Sequence, residues 1–279
     1  MVHGFKGGEG FGFLKSKAVW VRIETLKVHA HAQETRIASS LSSVEIFTAL
    51  YYGGLLKFRP QDPAWTGRDR LIVSKGHGAV SLYPILADLG FFDMEELGRV
   101  CKKGSFLGGI PDPVVPGFET VNGSLGHGLG VGAGMALALK RKGMANRVYV
   151  LVGDGELNEG SVWEAMMFAA HHRLDNLTLI IDANRACMLD FSSNVLDIEP
   201  LAAKLSAFGW EAASIDGHDV KEVFESLSAA SLSESQRPSA VIARTIKGKG
   251  AARLESDPLS HIRNLSPNEV SEIIAGMEA

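Results

Sequence analysis

The sequence predicts an α/β fold, a doubly wound, mainly parallel sheet with helices on both faces. Two apolar runs, Arg147-Val148-Tyr149-Val150-Leu151-Val152 and Leu177-Thr178-Leu179-Ile180-Ile181-Asp182, have the length and continuity of strands buried on both sides. Between them Val162, Ala165, Met166, Ala169 and Ala170 recur at helical spacing. Strand-like and helix-like segments then alternate along the rest of the chain, the pattern of βαβ crossovers.

Taken in order, the first segment is glycine-rich from His3 to Gly12, so residues 1–17 are expected to be mobile, or ordered only against a partner. Residues 18–279 are expected to form one domain, since no clean linker and no internal repeat interrupts them. A helix with mixed faces is expected over Ala18–Ser39. A second, over Leu41–Leu50, is opened by Ser42-x-x-Glu45, the pattern of a capping box. Arg70–Ser74 reads as the first strand and Gly76–Leu89 as the helix after it. Gly104–Gly117 is rich in Gly and Pro and reads as a loop. Ser124–Arg141 is a small-residue helix, with glycine at 126, 128, 130, 132 and 134. After the two central strands come a helix at Leu201–Phe208, a strand at Trp210–Ile215, a helix at Val220–Ala230 and a last strand at Ala240–Arg244.

Composition is that of a globular chain, with 46% hydrophobic and 22% charged residues in 279. A net charge of −4 gives no basic surface for nucleic acid or anionic membrane. The two cysteines, Cys101 and Cys187, are far apart and not in a C-x-x-C, which suits free thiols in a reducing cytoplasm. No signal-peptide pattern and no apolar run of membrane-spanning length is present.

The segment Gly153-Asp154-Gly155-Glu156-Leu157-Asn158-Glu159-Gly160 carries the chemistry. Asp154 falls at the carboxyl end of one strand, and Asn184, 30 residues on, at the end of the next. Open α/β sheets bind ligands there. A carboxylate and an amide oxygen are hard ligands, suited to Mg²⁺ or Ca²⁺. Gly153 and Gly155 let the backbone approach a bulky anion, and the free N–H groups of a following helix favour phosphate. A bare Gly-Asp-Gly reads as a turn with a capping Asp. With the Glu-x-x-Glu-Gly extension and the spaced Asn184, a metal-bridged diphosphate accounts for the whole set. A dinucleotide reading of Gly128–Gly134 fails, because no strand runs directly into it. Glycine at every second position points instead to a helix packed very close to backbone or ligand.

Gly153-Asp154-Gly155 with Asn184 resembles the thiamine-diphosphate motif, and the longer string resembles its transketolase form. Further transketolase-like strings follow the family order: Ser74-Lys75-Gly76-His77-Gly78, Asn122-Gly123-Ser124-Leu125-Gly126-His127-Gly128, Asp216-Gly217-His218-Asp219 and Thr245-Ile246-Lys247-Gly248-Lys249-Gly250. The likeness runs from about Ser40 to His261 and corresponds to the amino-terminal third to half of a full-length transketolase. It implies the diphosphate-binding (PP) module of thiamine-diphosphate enzymes, with Asp154, Asn184 and the Ala186 carbonyl on the metal, Mg²⁺ or Ca²⁺ in its place. Gly123, Ser124, Leu125, Gly153, Gly155, Glu156, Asn184 and Met188 are expected beside the cofactor. For Met188 ordinary core is the other reading. His77 and His261 are expected to touch the diphosphate or substrate and to be the catalytic contacts; the alternative for His77 is a solvent-facing histidine at a helix start, and for His261 an ordinary loop histidine. Lys247 and Lys249 either lend charge to phosphate or sit in a solvated loop. His127, where the family commonly has Gln, either donates to a ligand or caps the helix. Glu159 resembles a family acid at the dimer contact.

Two departures concern the substrate end. Arg36 stands near the place of one family histidine and Ile110 at that of another. Both histidines face the sugar in the family. Arg36 either pairs with an acidic group of the substrate or makes a structural salt bridge with Glu34 or Glu45. The string Arg185–Asp190 also departs from the usual one.

In transketolases the pyrimidine-binding module and its glutamate lie beyond the portion matched here. The resemblance therefore implies a second, carboxyl-terminal subunit supplying both, an α2β2 assembly, and no activity for this chain alone. The expected reaction is transfer of a two-carbon ketol unit from a ketose-type donor to an aldehyde. Two other readings are an α subunit of a thiamine-dependent 2-oxo acid dehydrogenase, against which the SKGHG and NGSLGHG strings speak, and a non-catalytic cofactor-binding scaffold.

Overall fold

Alternation of buried faces builds the sheet. In the computed structural model, which describes residues 10–188 and 190–278, five strands pair in parallel in the order β1-β2-β3-β5-β4. They are β1 (Arg70–Val73), β2 (Val148–Gly153), β3 (Leu177–Ala183), β4 (Glu211–Asp216) and β5 (Ser239–Arg244). Central β2 and β3 are buried along nearly their whole length, whereas β4 at the edge is mostly half-exposed. Every strand and its direction agree with the sequence reading, within a residue or two at the ends.

The helices are α1 (Gly10–His31), α2 (Ile37–Leu41), α3 (Val44–Tyr51), α4 (Leu82–Asp88), α5 (Gly128–Arg141), α6 (Gly160–His171), α7 (Ser192–Val195), α8 (Leu201–Ala207), α9 (Val220–Leu232), α10 (Ala252–Glu255) and α11 (Pro267–Glu278). Tyr149 and Leu151 of β2 face one core with α1, α3, α4 and α9. Val148, Val150 and Val152 face the other, with α5, α6 and α8. Successive strand residues point to opposite faces, so one continuous apolar run feeds both cores. A third cluster joins Leu26 of α1 to Ile37, Leu41, Leu254, Leu265 and Val270.

Several expectations change, among them the start of the small-residue helix, which is Gly128 and not Ser124. First, residues 10–17 are not part of a mobile leader: they form the first turns of α1, anchored by fully buried Leu14. Residues 1–9, the rest of that expected segment, lie outside the described residues, as do Leu189 and Ala279. Second, α1 ends at His31 instead of running to Ser39, because Thr35 turns its hydroxyl onto the Ala32 carbonyl at 2.7 Å and the chain leaves the helix. Third, Ser42-x-x-Glu45 is no capping box. Helix α3 starts at Val44 with no side-chain cap. The Ser42 hydroxyl donates instead to buried Asp182 at 2.7 Å, and Glu45 pairs with Arg22 and His218.

The segment expected as one helix from Gly76 is a 3₁₀ turn, Gly76–Ser81, leading into α4. Asp154–Asn158 is likewise a 3₁₀ turn, and α6 begins only at Gly160. No helix among the described residues is long and apolar enough to cross a membrane.

Candidate functional site

The carboxyl ends of β1, β2, β3 and β5 converge, and each delivers a charged or polar residue. Asp182, the sixth residue of β3, is fully buried. Lys75, just past β1, forms an ion pair with it, and Thr245, just past β5, donates its hydroxyl to it. Ser42 at 2.7 Å and the Asn184 amide at 3.1 Å donate to Asp182 Oδ2 as well. Burial opposes the charge on Asp182, and the Lys75 ammonium overrides that and holds the carboxyl below its ordinary range. Lys75 Nζ also donates to Ser42 and Ser43 and to the Ser39 carbonyl at 3.0–3.1 Å, so its donors are satisfied.

Asp154, 4% exposed, is the second carboxylate. It accepts from the Arg185 amide at 2.6 Å, the Gly155 amide at 2.9 Å and the Ser192 hydroxyl at 3.2 Å. Burial, aided by the charge of Asp182, nevertheless pushes it up to about 6. Asn184 turns its amide donor to Asp182, and its Oδ1 accepts the Ala186 amide at 3.1 Å. Lys247 reaches across from the β5 loop and donates to the Ala186 and Cys187 carbonyls at 2.8 and 3.0 Å. Lys247 is buried, not part of a solvated loop, and burial next to Lys75 lowers it to about 8.

His77 and His261 meet with ring centroids 5.1 Å apart, and His261 Nδ1 shares a 3.2 Å hydrogen bond with the Ser39 hydroxyl. Burial and the nearby charges of Arg36, Lys247 and Lys75 lower His77. Burial, then Lys247, lowers His261 to about 3. Both rings are therefore neutral at pH 7. Arg36 lies close enough to act on both, and among the described residues it has no ion-pair partner. Glu45, one partner offered by the sequence, is taken by Arg22 and His218. Arg36 and Lys247 beside two imidazoles that burial, first of all, keeps neutral leave a local positive excess that an anion would relieve.

The remaining expected residues sit around this centre. The Gly76 turn packs on Asn122, whose carbonyl lies 3.0 Å from where a Cβ on Gly76 would be, so the SKGHG and NGSLGHG strings abut. Gly123, Ser124 and Leu125 are exposed, with Ile110 Cδ1 3.3 Å from a Cβ at Gly123. Ile110 thus packs against Gly123, next to the Gly76 turn. Glu156 is 2% exposed: it accepts from Ser74 and from the Gly126 amide, so it braces these turns instead of offering an open contact surface. Gly155 backs onto Cys187, whose sulfur lies 3.2 Å from a Cβ placed there. Met188 is 56% exposed, which rules out the core reading. His127 makes no side-chain cap on α5; its Nδ1 bonds the Leu125 carbonyl at 2.9 Å.

The sequence reading overlooked Asp182, Lys75, Ser39, Ser42, Thr245 and Ser192. The available signal was a charged residue closing an otherwise apolar buried strand, which requires a buried partner.

For the donor set, the described residues hold no group of three or more His, Cys, Asp or Glu side chains. A divalent cation here would have one carboxylate, Asp154, with the Asn184 amide and Ala186 carbonyl oxygens. That suits a hard cation that completes its shell with phosphate oxygens and water. Neutral imidazoles with the charges of Arg36 and Lys247 close by suit the phosphates themselves. The residues fit a magnesium-bridged diphosphate.

Comparison with known proteins agrees. The family described as transketolase, thiamine diphosphate binding domain, matches residues 16–277. The chain belongs to the transketolase family. It is 37% identical over 266 residues to the 6-deoxy-6-sulfo-D-fructose transketolase subunit SqwG of Clostridium sp. (strain MSTE9), covering 95% of this chain and 96% of that protein. It is 39% identical to an apulose-4-phosphate transketolase subunit of Actinobacillus succinogenes, with 92% of each chain covered. Human transketolase is 38% identical over 94% of this chain, which spans only 41% of that protein. The Campylobacter jejuni transketolase structure superposes with a TM-score of 0.85 at 30% identity, over 95% of this chain and 43% of that one. The chain thus corresponds to the amino-terminal part of a full-length transketolase, and these two relatives of its own length are named as subunits.

Proposed function

We propose that this chain is the amino-terminal subunit of a split transketolase, transferring a two-carbon ketol unit from a ketose-type donor to an aldehyde acceptor with thiamine diphosphate and Mg²⁺. The observation that carries this is the place of Lys247, whose buried ammonium lies on the Ala186 and Cys187 carbonyls between buried Asp154 and the paired rings of His77 and His261. When bound, thiamine diphosphate supplies the carbon nucleophile and the electron sink. The chain's own residues hold and orient it. Asp154, Asn184 Oδ1 and the Ala186 carbonyl hold the cation. Lys247, His77 and His261 face the diphosphate. Gly123, Ser124, Leu125, Gly153, Gly155 and Met188 border it, with Glu156 bracing the turns from beneath.

His77 and His261 are the catalytic contacts in this reading. Kept neutral first by burial, they are free to accept a proton or a hydrogen bond from a substrate hydroxyl. Arg36 and His127 face the substrate. Two relatives of the same length are named for sugars bearing a sulfonate or a phosphate. An unpaired Arg36 suits a donor with such an anionic group.

A second, carboxyl-terminal transketolase-like subunit supplies the pyrimidine-binding module and its glutamate, in an α2β2 assembly. Relatives named as subunits support this part. With both cysteines free, a reducing cytoplasm is the proposed setting.

The test is reconstitution. The chain, a transketolase-like carboxyl-terminal subunit encoded beside it, and both together are assayed with phosphorylated and sulfonated ketose donors and an aldose acceptor. Ketol transfer by the pair and none by either part is expected. Full transfer by this chain alone, or lipoamide reduction by the pair in place of transfer, would overturn the reading.

A further inference from the structure

The string Asp216-Gly217-His218-Asp219 has no role in the site described so far, yet each of its side chains or turns is engaged. Asp219 caps α9 by accepting the Lys221 amide at 2.8 Å. Gly217 packs onto the residue after β5: a Cβ there would lie 2.4 Å from Thr245 Cγ2. His218 uses both ring nitrogens. Nε2 accepts the Ile246 amide at 2.8 Å, which fixes the proton on Nδ1, and Nδ1 donates to Glu45 Oε2 at 3.1 Å. Glu45 in turn pairs with Arg22, and Arg22 donates to the Leu41 carbonyl at 2.8 Å and the Lys249 carbonyl at 3.3 Å.

These bonds close a ring around one short segment. Ile246 is held by His218 and Lys249 by Arg22, with Glu45 between the two holders. Inside the segment lies Lys247, whose ammonium spans to the Ala186 and Cys187 carbonyls. His218, Ile246, Lys247, Asn184 and Ala186 also line one cavity of about 450 Å³. A four-carbon lysine stem is flexible, so its head is placed only if its backbone is fixed.

We infer that His218 is a positioning residue: through the Ile246 amide and Glu45 it fixes the 245–249 loop so that the Lys247 ammonium is held on the Ala186 and Cys187 carbonyls at the proposed cofactor site. This rests on the functional reading above and adds to it a residue outside the cofactor's contact shell. The ring must be neutral for the role, since a protonated Nε2 cannot accept the amide.

Two measurements on the full chain with its partner subunit test it. His218→Phe keeps a ring and loses both bonds; His218→Gln can donate to Glu45 and accept from Ile246. First, amide hydrogen exchange at Ile246 is expected to quicken about tenfold in His218→Phe and to stay near wild type in His218→Gln. Unchanged exchange in His218→Phe would overturn the inference whatever the cofactor does. Second, thiamine diphosphate is titrated with Mg²⁺ at a temperature well below the melting of each variant. His218→Phe is expected to weaken binding about tenfold and His218→Gln by under about threefold. The loss should vanish in a Lys247→Met background, since residues acting through one another are non-additive. A full additional loss in that background would overturn the inference. Failure of the wild-type complex to bind thiamine diphosphate would overturn the functional reading, with the exchange result still deciding the role of His218 in the loop.

Discussion

Replacing Lys75 by methionine leaves the Asp182 carboxylate fully buried without its counter-charge, while the methionine fills most of the lysine stem's volume. Removing one partner of a buried pair costs about 3–5 kcal/mol. Here the lower end applies, because Asp182 keeps the Ser42 hydroxyl at 2.7 Å, the Asn184 amide at 3.1 Å and the Thr245 hydroxyl. The expected loss is about 3 kcal/mol at pH 7. The direction of the pH dependence follows from the same pair. In the wild type Asp182 lies below its ordinary range, so its contribution is present above the unfolded-state value and is lost as pH falls through the folded one. Without Lys75 the protonated carboxyl is the easier form to bury, so the deficit relative to wild type narrows on acidification. Urea unfolding of both proteins at pH 7 and pH 5 measures this, read as a shift in midpoint at constant slope. Adding Asp182→Asn to Lys75→Met should recover part of the loss. A Lys75→Met cost under about 1 kcal/mol, the level of an exposed pair, would refute the reasoning.

Acid should also unfold the protein through His29. It is fully buried, bonds Thr35 Oγ1 at 2.8 Å and accepts the Leu265 amide at 3.3 Å, and burial pushes it down to about 4. Its contribution is complete above about pH 6.5 and is lost as pH falls toward 4; over that window His29→Gln should lose roughly 2–3 kcal/mol less than wild type in urea midpoints. Along α5, two glycines separated by one residue in the same small-residue run should behave oppositely. Gly132→Ala would set a Cβ 2.4 Å from Val150 Cγ2 and should cost about 1–3 kcal/mol. A Cβ at Gly134 meets nothing within 4 Å, so Gly134→Ala should stabilise this chain by up to about 1 kcal/mol in thermal unfolding.

The strand order's raw material was legible in the sequence because β2 and β3 are buried on both faces and read as unbroken apolar runs. The Gly-Asp-Gly segment and Asn184 were legible because each closes such a run. What misled was local pattern overridden by burial. Ser42 and Glu45 satisfy a capping-box spacing, but both are recruited by charges from distant segments, Asp182 and Arg22. The mixed faces of α1 reflect two partners: Leu14, Val21 and Val28 join one cluster and Leu26 another. Glycine-rich flanks hid its first turns, although Leu14 carries a full share of core. The Lys75–Asp182 pair was hidden because a charge ending a strand reads equally well as a turn residue.

The central claim is that this chain carries a metal-dependent diphosphate site centred on Asp154. Calorimetric titration of the subunit pair with thiamine diphosphate, in Mg²⁺ and in chelator, tests it most directly. Binding is expected to require the metal and to be weakened at least about tenfold by Asp154→Ala in this chain. Binding of equal strength in chelator, or binding indifferent to Asp154→Ala, would contradict it.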